Sequence, residues 1–144
     1  MHIAAALTCF VSALLVSVQA APAAPAAPAA CLGFRITSPT KSGLNWTYGQ
    51  CYSVDWDLGA SQVKTITSVD LYDAATKKKV TTEVSNISAS KGTTGNFPLM
   101  MGDDVESGNY YFVLNGKAGN GQACQLSSVS FHVTVNPNSP PATC

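Results

Sequence analysis

The sequence predicts an all-β domain, built as an antiparallel β-sandwich, and three observations support this prediction. Apolar and polar residues alternate with a period of two in residues 52–58 and again in residues 128–135, as they do in half-buried strands. Clusters of Gly, Pro, Asn and Asp separate these segments from several others of similar length. No segment of the sequence shows a convincing helical period.

Two N-terminal segments precede the expected domain. Residues 1–20 contain an apolar run too short for a comfortable membrane span, and they end in Val18-Gln19-Ala20, which predicts a secretory signal peptide. A retained membrane anchor is the alternative. Residues 21–30, APAAPAAPAA, have proline at every third position and predict an extended, solvated linker. The domain is therefore expected to be residues 31–144.

About seven strands are expected in this domain, in chain order 34–37, 52–58, 65–72, 80–84, a short strand at Phe97 and Leu99, 109–114 and 129–135. The alternation in the second strand turns Trp56 inward, so Trp56 is the expected centre of the core. Residues 109–114, NYYFVL, are apolar on both faces, as a central strand would be. Seven short strands separated by turns are typical of an immunoglobulin-like or fibronectin-III-like sandwich.

The charge composition argues against two classes of partner. Basic and acidic residues number eight each, so the formal net charge is zero. Nucleic acids and anionic membrane surfaces are bound by basic patches. The one basic run, Lys77-Lys78-Lys79, falls in the turn between the third and fourth expected strands, where a solvated loop explains it. We expect neither nucleic acid nor membrane as a partner once the signal peptide is cleaved.

Four cysteines remain beyond the signal peptide: Cys31, Cys51, Cys124 and Cys144. An even number in an exported domain indicates two disulfides, and the spacing alone allows three pairings. Successive strands of a sandwich alternate in direction. This places Cys31 and Cys124 at one end of the sandwich and Cys51 and Cys144 at the other. Strand order therefore predicts the bridges Cys31–Cys124 and Cys51–Cys144.

Two sequons fit the same oxidising compartment. Asn45-Trp46-Thr47 and Asn86-Ile87-Ser88 match the acceptor pattern for N-glycosylation, and both are expected in loops. The sequence has no CxxC motif and no Cys/His cluster, so neither a metal nor a cofactor is expected.

Five short motifs, taken in order along the chain, make up one pattern: Ile36-Thr37-Ser38-Pro39, Trp46-Thr47-Tyr48-Gly49-Gln50, Val54-Asp55-Trp56, Val69-Asp70-Leu71-Tyr72 and Ser107-Gly108-Asn109-Tyr110-Tyr111. The pattern resembles the N-terminal domain of the yeast cell-wall synthesis, killer-toxin-resistance family, also called the Ser-Thr-rich GPI-anchored membrane family. The resemblance spans residues 34–135. It implies a fungal, secreted or wall-associated β-sandwich linked to β-1,6-glucan assembly or wall organisation. The resemblance carries over no catalytic residue.

Asp55 and Asp57 are the residues to consider for catalysis. They lie two apart on one strand face, with Cα atoms about 7 Å apart, a spacing that a retaining glycosidase could use. A flat, solvent-facing strand offers no cleft and no cause for a raised pKa. We therefore expect a solvated polar face and no hydrolase activity.

The remaining reactive side chains are interpreted in the same way. His132 falls on the outer face of the last strand, with no nucleophile or metal ligand near it in sequence. Three acids crowd one loop and could bind calcium, but they lack EF-hand spacing: Asp103, Asp104 and Glu106. The chain is expected not to be an enzyme.

Trp46 and Tyr48 are the candidate ligand-binding residues. They project to the same side of an extended segment, and aromatic faces can stack on sugar rings. Packing over the end of the sandwich is the alternative. The function expected is a secreted, non-catalytic fungal cell-wall module that binds or organises β-glucan. The alternative is a secreted protein-interaction module or effector that does not bind polysaccharide.

Overall fold

A computed structural model describes residues 27–144, and its regular structure is almost entirely β. The ten strands are β1 (Arg35–Ser38), β2 (Asn45–Thr47), β3 (Cys51–Tyr52), β4 (Asp55–Asp57), β5 (Val63–Asp73), β6 (Lys79–Ser88), β7 (Phe97–Pro98), β8 (Gly108–Ala118), β9 (Ala123–Ser127) and β10 (Phe131–Thr134). Two 3₁₀ turns cover Ala29–Cys31 and Ala89–Lys91. Residues 27–144 contain no α-helix, and the all-β prediction is confirmed.

A six-stranded sheet forms the larger layer. Its order is β2-β10-β8-β5-β6, and β9 also pairs with β8. All pairs are antiparallel except that of β2 with β10. β9 and β10 pair with the same side of β8 and act as one strand interrupted at residues 128–130. Ser128 accounts for the interruption, because its Oγ accepts the Phe112 N–H at 2.8 Å in place of a backbone carbonyl.

The smaller layer is centred on residues 51–57. β4 pairs with β1, and β3 pairs with β7. Between β3 and β4, the Val54 N–H donates to the Thr94 hydroxyl at 2.9 Å instead of to a backbone carbonyl. The strand predicted at residues 52–58 is therefore present as an extended segment that changes partner along its length.

The core lies between the two layers. Trp56 is 4% exposed, and its indole N–H donates to the Ala89 carbonyl at 2.8 Å, so its one polar atom is satisfied. The prediction that Trp56 lies in the core is confirmed. The larger sheet contributes further buried side chains: Ile66, Val69, Leu71, Phe112, Leu114, Phe131 and Val133. Burying one such side chain fully contributes about 1.5–3 kcal/mol.

Two disulfides tie the ends of the described chain to the sandwich. Cys31 is bonded to Cys124 and Cys51 to Cys144, with Cα–Cα distances of 5.6 Å and 5.9 Å. These are the two pairs that strand order predicts. Each bridge joins residues 93 positions apart. The bridges hold the first and last segments where fraying would otherwise be expected.

The packed structure begins slightly before the boundary expected at residue 31. Ala30 is 5% exposed, and its carbonyl accepts the Gln62 N–H at 2.8 Å. The proline periodicity assigned this residue to the linker, but the disulfide at Cys31 brings the preceding turn against the sandwich. The predicted signal peptide and most of the linker lie outside the described residues. Within residues 27–144, no helix is long and apolar enough to cross a membrane.

Several predictions about individual elements were wrong. β2 and β9 were not expected. β2 has three residues and pairs with β10, which is distant in the sequence, whereas β9 forms a hairpin with β8 across residues 119–122. The expected loop positions of the sequons are also wrong. Asn45 begins β2, and Asn86 lies within β6. Asn86 has φ 56°, a left-handed conformation that asparagine tolerates better than most residues, so a loop-like residue occurs inside a strand.

Candidate functional site

The two carboxylates considered for catalysis make structural contacts. Asp57 accepts the Gly59 N–H at 3.0 Å and pairs with Arg35 at 2.7 Å. The Gly59 hydrogen bond and then the Arg35 charge hold the pKa of Asp57 below its ordinary value. Asp55 accepts from the Thr93 hydroxyl. A general acid working near neutral pH needs a raised pKa, so Asp57 is unsuited to that role.

Trp46 is a packing residue. Its indole stacks on Tyr52, with ring centroids 4.1 Å apart, and on Phe131, at 4.3 Å. A sugar would need a free ring face, and these neighbours occupy the faces of the indole. Tyr48 also packs against the core and is half-buried. The geometry favours packing over ligand binding at Trp46 and Tyr48.

The loop acids and His132 form no recognisable catalytic group. The acids share a cleft of about 540 Å³ with two lysines: Lys78, Lys79, Asp103, Asp104 and Glu106. Among the described residues, no three His, Cys, Asp or Glu side chains are placed to hold a metal ion. His132 is half-buried beside Asn109, with its Nδ1 3.2 Å from the amide oxygen. Its inward neighbours are Phe131 and Val133, so His132 faces outward as the alternation predicts.

Polar and aromatic side chains collect on the outer face of the larger sheet. Four residues of β5 and β8 are fully buried in the core: Val69, Leu71, Phe112 and Leu114. The residues that alternate with them therefore point away from the core. Strand register sets these outward residues side by side: Ser68 by Asn115, Asp70 by Val113, Tyr72 by Tyr111, and Asn115 by Gln125 of β9. We call these seven residues the outer-face strip.

A hydrogen-bonded network crosses the outer-face strip. Asp70 is 5% exposed and accepts from the Asn115 amide at 3.0 Å and from the Thr82 hydroxyl at 2.7 Å. The Lys79 ammonium lies 3.4 Å from the same carboxylate. The Asn115 amide oxygen accepts from Gln125 at 2.9 Å. The network joins four strands and satisfies a nearly buried charge, so it holds these side chains in one arrangement.

Tyr72 and Tyr111 form one end of the outer-face strip. Both are half-buried, their ring centroids are 5.6 Å apart, and their planes are inclined by 34°. The Lys77 ammonium lies over the Tyr111 ring, 5.0 Å from its centre, so a ligand that stacks on this face would displace the Lys77 side chain. Adjacent tyrosines combine apolar ring surface with polar hydroxyl groups. A sugar can use both, because its C–H face packs on rings and its hydroxyls form hydrogen bonds.

A groove of about 490 Å³ lies at the other end of the outer-face strip. Its polar lining comes from two residues of β5, two of β8 and one of β9: Thr67, Ser68, Asn115, Lys117 and Gln125. This volume is within the range of small-molecule sites. Tyr72 lies four positions after Ser68 along β5, so the groove and the tyrosines are about 13 Å apart. A ligand contacting both would have to be extended.

Sequence reasoning missed this surface. Residues 109–114 are apolar on both faces, so Tyr111 was assigned to a central strand without being considered for binding. The available signal was the polar alternation of Ser68, Asp70 and Tyr72 in β5, which places these three side chains on one face. It could not identify Asn115 or Gln125 as neighbours, because those contacts depend on strand register.

Glu83 occupies an unusual environment at the edge of the larger sheet. The register of β5 with β6 shifts between Val69 and Asp70, and Glu83 is the extra residue of this β-bulge. Both carboxylate oxygens lie 3.2 Å from the Met100 nitrogen. Burial raises the pKa of Glu83 to about 8, and the Met100 N–H only partly opposes that shift. Its charge therefore changes near neutral pH.

No protein-family model and no curated protein matches this chain. A solved structure described as "Structures of Clostridium thermocellum CbhA fibronectin(III)-like modules" is similar, with 14% identity and a TM-score of 0.41. The alignment covers 72% of this chain and 46% of that one, so this chain spans less than half of the solved chain's length. A likeness of this degree carries no argument about function. The class of protein, a two-layer β-sandwich module, is defined by the chain's own strand pairing.

Proposed function

We propose that the chain is a secreted, non-catalytic fungal cell-wall module that binds β-glucan through the outer-face strip. The observation that carries this proposal is the strip itself, where two tyrosines and a hydrogen-bonded polar row lie on one sheet face. A surface already held in place loses little conformational freedom on binding. The motif resemblance to the wall-synthesis family supplies the ligand class.

Two further observations support the extracellular and non-catalytic parts of the proposal. Two disulfides fit an oxidising compartment. The carboxylates that come nearest to a catalytic pair, Asp55 and Asp57, are held by Thr93 and Arg35.

Co-sedimentation with particulate β-1,6-glucan, β-1,3-glucan and chitin tests the proposal. Tyr72→Ala and Tyr111→Ala should each weaken glucan binding about 2- to 12-fold, since one aromatic contact contributes about 0.5–1.5 kcal/mol. Tyr111→Phe keeps the ring and should bind more strongly than Tyr111→Ala. Tyr48→Ala is the matched control from the other aromatic surface and should leave binding unchanged. Thermal unfolding of each variant checks that the sandwich is intact.

The outcomes separate the two functions considered. Loss of glucan binding in Tyr48→Ala but not in Tyr111→Ala would move the site to the Trp46 surface. Failure of the deglycosylated native chain to bind any of these polysaccharides would overturn the proposal in favour of a protein-interaction module.

A further inference from the structure

The two sequons lie on the two edge strands of the larger sheet. Asn45 is in β2, at one end of the strand order, and Asn86 is in β6, at the other. Within residues 27–144, β2 pairs only with β10, and β6 only with β5. Both asparagines are exposed, and within the described residues neither side chain makes a hydrogen bond. Each amide is therefore accessible at an open edge.

An open edge exposes unpaired backbone N–H and C=O groups that can pair with another chain, and proteins usually block it with charges, bulges or proline. β6 has such devices in only one half. Its register is irregular around residues 79–83, where Lys79 and Glu83 also lie. Its other half, residues 84–88 (VSNIS), pairs regularly at Val84 and Ile87 and carries no charge. Asn86 lies at the centre of this uncharged half, where its left-handed backbone is the one departure from the extended conformation.

The opposite edge is shorter and partly closed, because β2 has three residues and the Tyr52 hydroxyl accepts the Thr47 N–H at 2.7 Å, but it too lacks charge. Residues 44–48, LNWTY, surround β2 and contain no charged side chain and no proline. Short uncharged segments rich in β-branched and aromatic residues are the ones prone to edge pairing. Asn45 is the exposed residue of β2.

We propose that Asn45 and Asn86 carry N-linked oligosaccharides that cover both edges of the larger sheet and prevent it from pairing with a second copy of the chain. In the modification, the asparagine Nδ2 forms a bond to C1 of a lipid-linked oligosaccharide. The bond from C1 to the lipid diphosphate breaks, the diphosphate leaves with the electron pair, and the amide loses one proton. The inference rests on the export in the proposed function and does not depend on glucan binding.

Both attachment points lie beside the outer-face strip. Strands are about 4.8 Å apart, so Asn45 lies about 10 Å from β8, two strands away. Asn86 lies on the strand beyond β5. The two oligosaccharides therefore flank the strip, and neither is attached within it.

The test uses the full chain secreted from a eukaryotic host. Removing the sequon hydroxyl, with Thr47→Val and Ser88→Ala, avoids replacing Asn86 in its left-handed conformation. Each variant should lose one oligosaccharide by intact mass, and the double variant both. Two neighbouring substitutions serve as controls. Thr134→Val changes the residue that pairs with Thr47 across β2 and β10, and Ser90→Ala removes the hydroxyl that lies 2.9 Å from that of Ser88. Both controls should keep two oligosaccharides.

Association is then measured by size-exclusion chromatography with light scattering at matched concentration. The double variant should shift from monomer to larger species, with Ser88→Ala causing most of the shift because β6 is the longer edge. Adding Ser85→Lys to Ser88→Ala should restore the monomer, whereas Ser130→Lys, away from the edge, should not. An unmodified native chain, a double variant that stays monomeric, or equal rescue by both lysines would overturn the proposal.

Discussion

Replacing Glu83 with glutamine should stabilise the protein at neutral pH and make its stability less dependent on pH. The pKa of Glu83 is about 8 in the folded chain, against an ordinary value of 4.5. A raised folded-state pKa means that the protonated form is favoured by folding. The stability contributed by this carboxyl is therefore fully present below pH 4.5 and is lost as the pH rises toward 8. Glutamine keeps an acceptor for the Met100 N–H but cannot ionise.

The size of the effect follows from the two pKa values. Between about pH 5 and about pH 7.5, this one group lowers the free energy of unfolding by about 2–3 kcal/mol. With a urea slope of about 2 kcal/mol per M, the midpoint of unfolding of the native chain falls by about 1–1.5 M. The fluorescence of Trp46 and Trp56, which both pack in the folded chain, reports the transition. Glu83→Gln should lack most of this fall and should have the higher midpoint at the higher pH.

The chain offers a matched control, because its one other glutamate, Glu106, is exposed in the loop before β8. Glu106→Gln removes the same charge and should keep the full fall in midpoint. A Glu83→Gln variant whose midpoint falls as much as that of the native chain would refute the reasoning. It would mean that Glu83 is well solvated in the folded protein.

Three further predictions concern the fixed parts of the fold. Replacing Cys51 and Cys144 together by serine should cost up to about 4–5 kcal/mol, because the bridge closes a long loop; calorimetry measures the loss, and an unchanged Tm would contradict it. Asn115→Ala removes a donor to the nearly buried Asp70 and should cost about 1–3 kcal/mol in urea unfolding at constant pH; no change would mean that water replaces the amide. Gly33→Ala should lower the Tm, because φ is +85° and the added Cβ would lie 2.9 Å from the backbone nitrogen of Ala60; a neutral variant would contradict the close approach of Gly33 to residues 59–60.

The sequence predicts the parts of this fold that depend on local alternation. Trp56 is buried because its neighbours at two-residue spacing are apolar, and that pattern is visible without a structure. The disulfide pairs were also accessible, since the ends of successive strands alternate between the two ends of a sandwich. Neither inference requires the register of any strand pair.

The missed features of the candidate sites depend on how the strands pair and in which register. Trp46 was considered for binding because the sequence does not show whether its ring is exposed. The ring is packed because β2 lies beside β10, where the indole contacts Phe131. Asn115 meets Asp70 only through the register of β5 with β8. The raised pKa of Glu83 arises from a bulge that changes which way one side chain points. Each depends on tertiary context that the local pattern does not encode.

The most direct test of the proposed function is a binding isotherm of the native chain and a Tyr72→Ala/Tyr111→Ala double variant on particulate β-1,6-glucan, with released reducing ends assayed in parallel. Saturable binding by the native chain is predicted, with an affinity lower by about 5- to 150-fold in the double variant, the effect of losing two aromatic contacts. No reducing ends should be released by either protein. Equal binding by the folded double variant, or glucan hydrolysis by the pure native chain, would contradict a non-catalytic module that binds through the outer-face strip.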